Sequence, residues 1–342
     1  MIQFHPLFRP VIVLIPLCAG SAASAQETAR PSPHELLEAM ERASVMLNYA
    51  GVFVYQRGGQ MDSMRIVHKG DGESQLERLL SLTGPAREVI RDGKRVTCVF
   101  PDEKSVIVEP SQSRQYLRVA LSEPLHTVEQ YYQFVLTGED RVAGRPTWVV
   151  SIEPREPDRY GYQLSIDQSA HLPLKSRVID SHGDTLEELQ FTDIEFLDEV
   201  PDEMLEPHFG SAGYTWYTGT PAEAPPPAVA DNSAPALEPE ADAPPWQVGW
   251  LPDGFRMLDM KRQTITASRR PVSHTVYSDG LAMVSIFVER LVDVGQPLRG
   301  ISSLGAVNAI GRVNDGYQVT VVGEIPLPTA KKIAASVAFG AQ

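Results

Sequence analysis

The feature that most restricts this 342-residue chain is a stretch with no means of building a core. Residues 218 to 245 hold eight prolines and eight alanines in 28 positions, together with five carboxylates. Acidic, proline-rich segments extend as semi-rigid spacers. Any core must therefore form separately in a front part and a back part. Charge is also unevenly distributed. From Val178 to Phe255 there are 17 acidic residues and no basic ones, residues 26 to 177 carry 19 basic and 21 acidic, and residues 256 to 342 carry 10 basic and 6 acidic. The overall charge of −14 thus hides a back part with more basic than acidic groups, able to meet an anionic partner.

The first residues read as an export signal. Arg9 supplies the positive start, Val11 to Leu17 is almost wholly apolar, and Ala23-Ser24-Ala25 fits a small-x-small cleavage site. The apolar run is too short for a transmembrane helix, which needs roughly 20 residues. A lipid anchor at Cys18 is the competing reading, and Leu17, where a small residue is expected, argues against it. The expected division is a signal peptide at 1–25, a large domain at 26–217, a linker at 218–245 and a small domain at 246–342. Removal of the signal leaves Cys98 as the single cysteine. Cohesion must then come from apolar burial rather than a disulfide. Cys98 itself reads as a small buried hydrophobe or, alternatively, a nucleophile.

Ser32, Pro33 and Glu35 mark a helix start with a capping box, and Leu36, Met40, Ala43 and Leu47 recur at helical spacing. The texture then changes to short runs rich in Val, Ile, Phe and Tyr. These predict strands at Gly51 to Gln56, Met64 to His68, Glu88 to Ile90, Arg95 to Phe100 and Ser105 to Val108, with turns at Gly58-Gly59, Asp71-Gly72 and Asp92-Gly93. A helical segment is expected over Pro124 to Val135. Strands follow at Thr147 to Ile152, Tyr160 to Ile166, Leu174 to Ile179 and Thr185 to Leu197. The simplest architecture is a twisted antiparallel meander curved over a helix or two. In Gly51-Val52-Phe53-Val54-Tyr55 neither face is clearly polar, so one face lines a cavity or both are packed. The back part predicts strands at Val272 to Tyr277, Ala282 to Glu289 and Gln318 to Val322, and a closing helix after Pro328, making a small α+β module.

No constellation of catalytic residues emerges. His34-Glu35-Leu36-Leu37-Glu38 starts like a zinc helix but has Glu38 where the second histidine belongs. Gly300 to Gly305 is one residue too long for a nucleophile elbow, and no phosphate-binding glycine loop occurs. The acidic pairs Asp198-Glu199 and Asp202-Glu203 lack calcium-loop spacing. The histidines are scattered singly and leave a pH response open. No cofactor is expected.

Six short words do carry a likeness. They are Leu47-Asn48-Tyr49, Gly84-Pro85-Ala86-Arg87-Glu88-Val89, Gly183-Asp184-Thr185-Leu186-Glu187, Trp250-Leu251-Pro252-Asp253-Gly254-Phe255, Val276-Tyr277-Ser278-Asp279-Gly280-Leu281, and Val322-Gly323-Glu324-Ile325-Pro326 followed by Thr329-Ala330-Lys331. In order and separation they resemble the MucB/RseB family of periplasmic negative regulators of the sigma E type envelope stress response. The resemblance implies an α+β fold: a LolA/LolB-like half-open antiparallel barrel with helices, plus a smaller C-terminal α+β domain. It also implies a periplasmic protein that is not an enzyme. Such a protein binds the periplasmic part of a membrane-anchored anti-sigma factor, shields it from proteolysis, and releases it on sensing lipopolysaccharide or lipoprotein acyl chains. Nucleic acid is not an expected partner, and self-association stays open. The long proline- and alanine-rich linker departs from the family pattern.

Phe53, Tyr55, Arg269 and Arg270 are the candidate lipid contacts, the two arginines facing phosphate groups. Leu251, Phe255 and Tyr277 are the candidate partner contacts, and each apolar choice has a plain core role as its alternative. Two other readings stand beside the regulator. A periplasmic lipid or lipoprotein carrier would need only the front domain, and an envelope hydrolase would need a nucleophile that no residue here supplies.

Overall fold

Ser32 opens the first helix because its hydroxyl accepts the Glu35 amide at 3.2 Å while the Glu35 carboxylate accepts the Ser32 amide at 2.8 Å. With Pro33 in the first turn, this box starts α1 (Pro33–Met46), which buries Leu36, Leu37 and Met40. The structure, a computed structural model, describes residues 30–70, 72, 75–93, 95–110, 123–210, 212–218, 246–265, 270–291 and 298–339. The expected export signal, and the spacer beyond Thr218, lie outside the described residues.

After α1 the chain runs through β1 (Asn48–Arg57), β2 (Gln60–Gly70), β3 (Gln75–Ser81), β4 (Glu88–Asp92), β5 (Arg95–Phe100) and β6 (Ser105–Pro110). A single turn, α2 (Leu125–Val128), leads into β7 (Tyr132–Val142), β8 (Arg145–Pro154), β9 (Gly161–Asp167), β10 (Pro173–Ile179) and β11 (Thr185–Leu197). A last short strand, β12 (Thr215–Thr218), completes a 12-stranded sheet of order β12-β6-β5-β4-β3-β2-β1-β11-β10-β9-β8-β7. All its pairings are antiparallel except β12 with β6. Helix α1 touches both β2, near the middle of that order, and β7, at one edge, so the sheet curls around the helix, and among the described residues its two edges are not paired.

Two apolar clusters line the interior of this curl. Leu36, Leu37 and Met40 pack on Tyr132, Val150, Ile152, Leu164 and Ile166 of β7 to β9. A second cluster joins Phe53, Met64, Ile66, Leu79 and Val89 to Leu174, Leu189 and Phe191. Each fully buried side chain of this size contributes about 1.5–3 kcal/mol. Cys98 packs half-buried on that cluster.

The expected helix over Pro124 to Val135 is corrected to the one turn of α2. The run Tyr131-Tyr132-Gln133-Phe134-Val135 is aromatic and β-branched, and from Tyr132 it pairs along β8, with Tyr132 opposite Pro154. Strand β3 was not expected at all. Its Glu77 lies opposite Arg91 of β4 and pairs with it at 3.2 Å, both buried. Its Arg78 pairs with buried Glu88 at 2.6 Å. Glu88 also accepts the His208 amide, and Arg78 reaches the Met204 carbonyl, which ties residues 204–208 to the sheet.

The back part contains β13 (Trp246–Val248), β14 (Arg256–Ile265), β15 (Arg270–Ser278), β16 (Met283–Arg290), β17 (Gly300–Leu304), β18 (Val307–Asn314), β19 (Tyr317–Gly323), α3 (Leu327–Ser336) and β20 (Val337–Phe339). Six of these strands form one antiparallel sheet of order β14-β15-β16-β19-β18-β17, and β13 pairs with β20. Val284, Ile286, Val288, Val319 and Val321 of this sheet pack on Ala330, Ile333 and Ala334 of α3. The α+β expectation holds: a large, half-open antiparallel sheet over helical segments, and a smaller C-terminal sheet domain.

Candidate functional site: the junction of the two sheets

One end of the small sheet meets the large domain. The start of β14, the β15–β16 turn, the β17–β18 turn and the exit of β19 all lie at that end, as the antiparallel order requires. They meet α2, the start of β7, the β8–β9 connection, and the neighbouring ends of β1 and β11.

Arg159, in the β8–β9 connection, is 2% exposed. Its Nη1 donates to Oδ2 of Asp279 at 2.8 Å, its Nη2 to the Asp253 carbonyl at 2.7 Å and its Nε to Asp158 at 2.9 Å. The Tyr131, Tyr132 and Phe255 rings surround the guanidinium at 5.3, 5.6 and 5.7 Å. Tyr132 donates its hydroxyl to the same Asp279 oxygen at 2.9 Å, while Oδ1 of Asp279 accepts the Leu281 and Ala282 amides. The carboxylate is thus fully hydrogen-bonded as well as paired, which a buried charge requires. Burial works against the Arg159 charge, yet Asp158, Asp279 and Tyr132 outweigh it and hold the guanidinium proton more tightly than usual. Burial first, and then the Asp279 charge, push the Tyr132 phenol well up, so it remains a donor.

A second set lies beside this one. Tyr162 donates to Glu324 at 2.9 Å, Thr329 donates to the Asp158 carbonyl at 2.9 Å, and Asn308 donates to the Tyr160 hydroxyl at 3.1 Å. Burial and the Glu324 charge raise the Tyr162 phenol. At the far side Glu187 accepts the Ala306 amide at 2.9 Å with one oxygen and the Tyr55 hydroxyl with the other. Close approach demands glycine three times. A Cβ on Gly254, at φ +91°, would sit 2.4 Å from the Tyr131 ring, one on Gly305, at φ +58°, would sit 2.4 Å from Glu187, and one on Gly280, at φ +103°, would sit 2.8 Å from Val128. A cleft of about 390 Å³ opens alongside, lined by Ile152, Glu153, Arg155, Arg159, Tyr162 and Asp180 among others.

Of the residues singled out from sequence, the structure brings Tyr55 and Phe255 to this junction. Phe53 lies in the large-domain interior, 1% exposed, with its ring centroid 5.8 Å from that of Phe191. Leu251 and Tyr277 pack half-buried on the small-domain core. Arg270 begins β15, and Arg269 lies outside the described residues. Sequence reasoning missed Arg159, Asp279, Glu187 and Glu324 as a group. The available signal was that three of them, Asp279, Glu187 and Glu324, fall inside the family words.

Arg159, Asp279, Glu187, Glu324, Tyr132 and Tyr162 are all hydrogen-bonded across the junction. Among the described residues no group of three His, Cys, Asp or Glu side chains is placed to hold a metal ion.

Comparison with known proteins agrees with this two-part construction. The family model for the MucB/RseB N-terminal domain matches residues 32–209, and that for the MucB/RseB C-terminal domain matches residues 240–338. The sigma factor AlgU regulatory protein MucB of Pseudomonas aeruginosa is 31% identical over 327 residues, covering 94% of this chain and 95% of that protein. The sigma-E factor regulatory protein RseB of Escherichia coli K12 is 29% identical over 326 residues, covering 93% and 94%. The crystal structure of MucB in complex with MucA(peri) superposes with a TM-score of 0.66 at 28% identity, covering 91% of this chain and all of that one.

Proposed function

This chain belongs to the MucB/RseB family, and on that footing we propose that it is a periplasmic, non-catalytic regulator that grips the periplasmic part of a membrane-anchored anti-sigma factor. While bound, it shields that segment from proteolysis. The observation that carries the reading is the family match on both sides of the spacer, joined to a solved relative that holds MucA(peri). Leu251, Phe255 and Tyr277 are the proposed partner contacts.

Release follows when the large domain meets lipid, either lipopolysaccharide or a mislocalised lipoprotein. An acyl chain gains about 0.8 kcal/mol for each buried methylene, so partial insertion supplies several kcal/mol. Tyr55 supports this step. Its ring packs on the second apolar cluster and its hydroxyl meets Glu187, which holds the small domain through Ala306. Phe53 and Tyr55 are the proposed acyl contacts, and Arg269 and Arg270 the proposed phosphate contacts. A carrier would have no use for the buried polar junction, which favours the regulator.

Titration of the full chain with the MucA(peri) fragment tests the reading. Saturable binding that slows digestion of the fragment by an added protease, and is reversed by lipopolysaccharide, is the expected result. Absence of saturable binding would reject it, and binding indifferent to lipopolysaccharide would remove the lipid step alone.

A further inference from the structure

We propose that the Arg159–Asp279 pair is a latch: it keeps the two domains docked in the arrangement that grips the partner, and undocking is how the grip is lost. This inference rests on the functional reading above. Its starting point is that the pair exists only across the junction. Arg159 belongs to the large domain, while Asp279 and the Asp253 carbonyl belong to the small one, and the two charged side chains are 1% and 0% exposed. Separation returns both to water. The desolvation cost of a buried ion pair offsets much of its attraction, so docking of this kind is held by geometry and is readily reversed.

The remaining cross-junction bonds have the same character. Tyr162 to Glu324, Thr329 to Asp158, Asn308 to Tyr160 and Ala306 to Glu187 are all polar. Apolar contact across the junction is small beside the cores: Leu281 of the small domain packs on the large-domain cluster around Val128 and Tyr132, and the remaining cluster members come from one domain or the other. The sequence joining the domains is the proline- and alanine-rich run at 218–245, so undocking need break no strand of either sheet. A partner touching both domains favours the docked arrangement, and any ligand that favours separation releases it. A ligand with equal affinity for the two arrangements shifts nothing.

The test uses full-length chain with Cys18→Ala and Cys98→Ala and spin labels at the exposed positions Arg42 and Lys331, one in each domain. Wild type should give one narrow interlabel distance. Asp279→Asn keeps an oxygen for the Leu281 and Ala282 amides while losing the charge. It should broaden the distance distribution and weaken MucA(peri) binding at least tenfold, with far-ultraviolet dichroism unchanged. Where that variant does not fold, Arg159→Lys, which keeps the charge and loses the fork, should give a smaller change of the same kind. A folded variant with the wild-type distance overturns the latch. A broadened distance with unchanged affinity overturns its role in the grip. A wild-type chain that captures no fragment instead defeats the functional reading, and the distance measurement still decides whether the pair holds the domains together.

Discussion

The interior of each sheet and the junction between the sheets are held by different physics. Phe191 and Ile286 are 0% exposed among apolar neighbours, whereas Arg159, Asp279 and Glu187 are buried among hydrogen bonds. Apolar packing is non-directional and adds with area, so a core resists opening as a whole. A polar contact depends on geometry and has water as a competitor, so a junction made of such contacts opens locally and closes again. The contrast is between two apolar cores and one polar seam, and it is the seam on which the proposed latch depends.

Phe191→Ala attacks the apolar side of this comparison and should have the largest effect. Loss of that ring should destabilise the large domain by about 3–5 kcal/mol in urea unfolding, with the small domain unaffected. Asp167 offers a charged contact inside one domain to set beside the latch. Burial alone would raise its carboxyl, but the Arg145 guanidinium and the Ala170 and Ser169 amides outweigh this and hold it below the usual range. A depressed carboxyl contributes stability that is present above its unfolded value, near 4, and is lost as pH falls through the lowered folded value. Asp167→Asn should therefore cost about 2 kcal/mol at pH 7 and progressively less below pH 4, read from unfolding midpoints across the range.

Tyr162→Phe removes one bond of the seam. It should weaken docking by about 1 kcal/mol, seen as a broader distance between domain labels, while both unfolding transitions stay in place. The smallest effect is expected from Lys332→Ala, which removes the ammonium 3.6 Å from the centre of the Trp250 ring. It should cost the small domain about 0.5–1 kcal/mol in thermal unfolding and leave docking untouched.

Much of the fold was legible in the sequence because periodicity and turn chemistry are local. Ser32, Pro33 and Glu35 place the first helix, and Arg95 to Phe100 and Thr185 to Leu197 are strands with the bounds their composition suggests. Strand β3 was hidden because Glu77 and Arg78 sit where an apolar pattern is expected, and their charges are paired by Arg91 and Glu88 of β4, which no local pattern reveals. Strand β17 was hidden for the opposite reason: all five of its residues are exposed, and Ile301 and Leu304, separated by two serines, do not alternate as a half-buried strand does. The junction was legible only in part. Phe255 and Tyr55 stood out as aromatic, but the pairing of Arg159 with Asp279 spans 120 positions and leaves no periodic trace.

Native-state hydrogen exchange compares the seam with a core directly, through two amides of the small domain. The Ala306 amide is held by Glu187 across the junction, and the Ile286 amide lies in the middle of the small sheet. Ala306 should exchange through a local opening far less costly than unfolding, and its protection should rise when MucA(peri) is bound, while Ile286 exchanges only by global unfolding. Equal protection of the two amides, unchanged by the fragment, would contradict a seam that opens on its own.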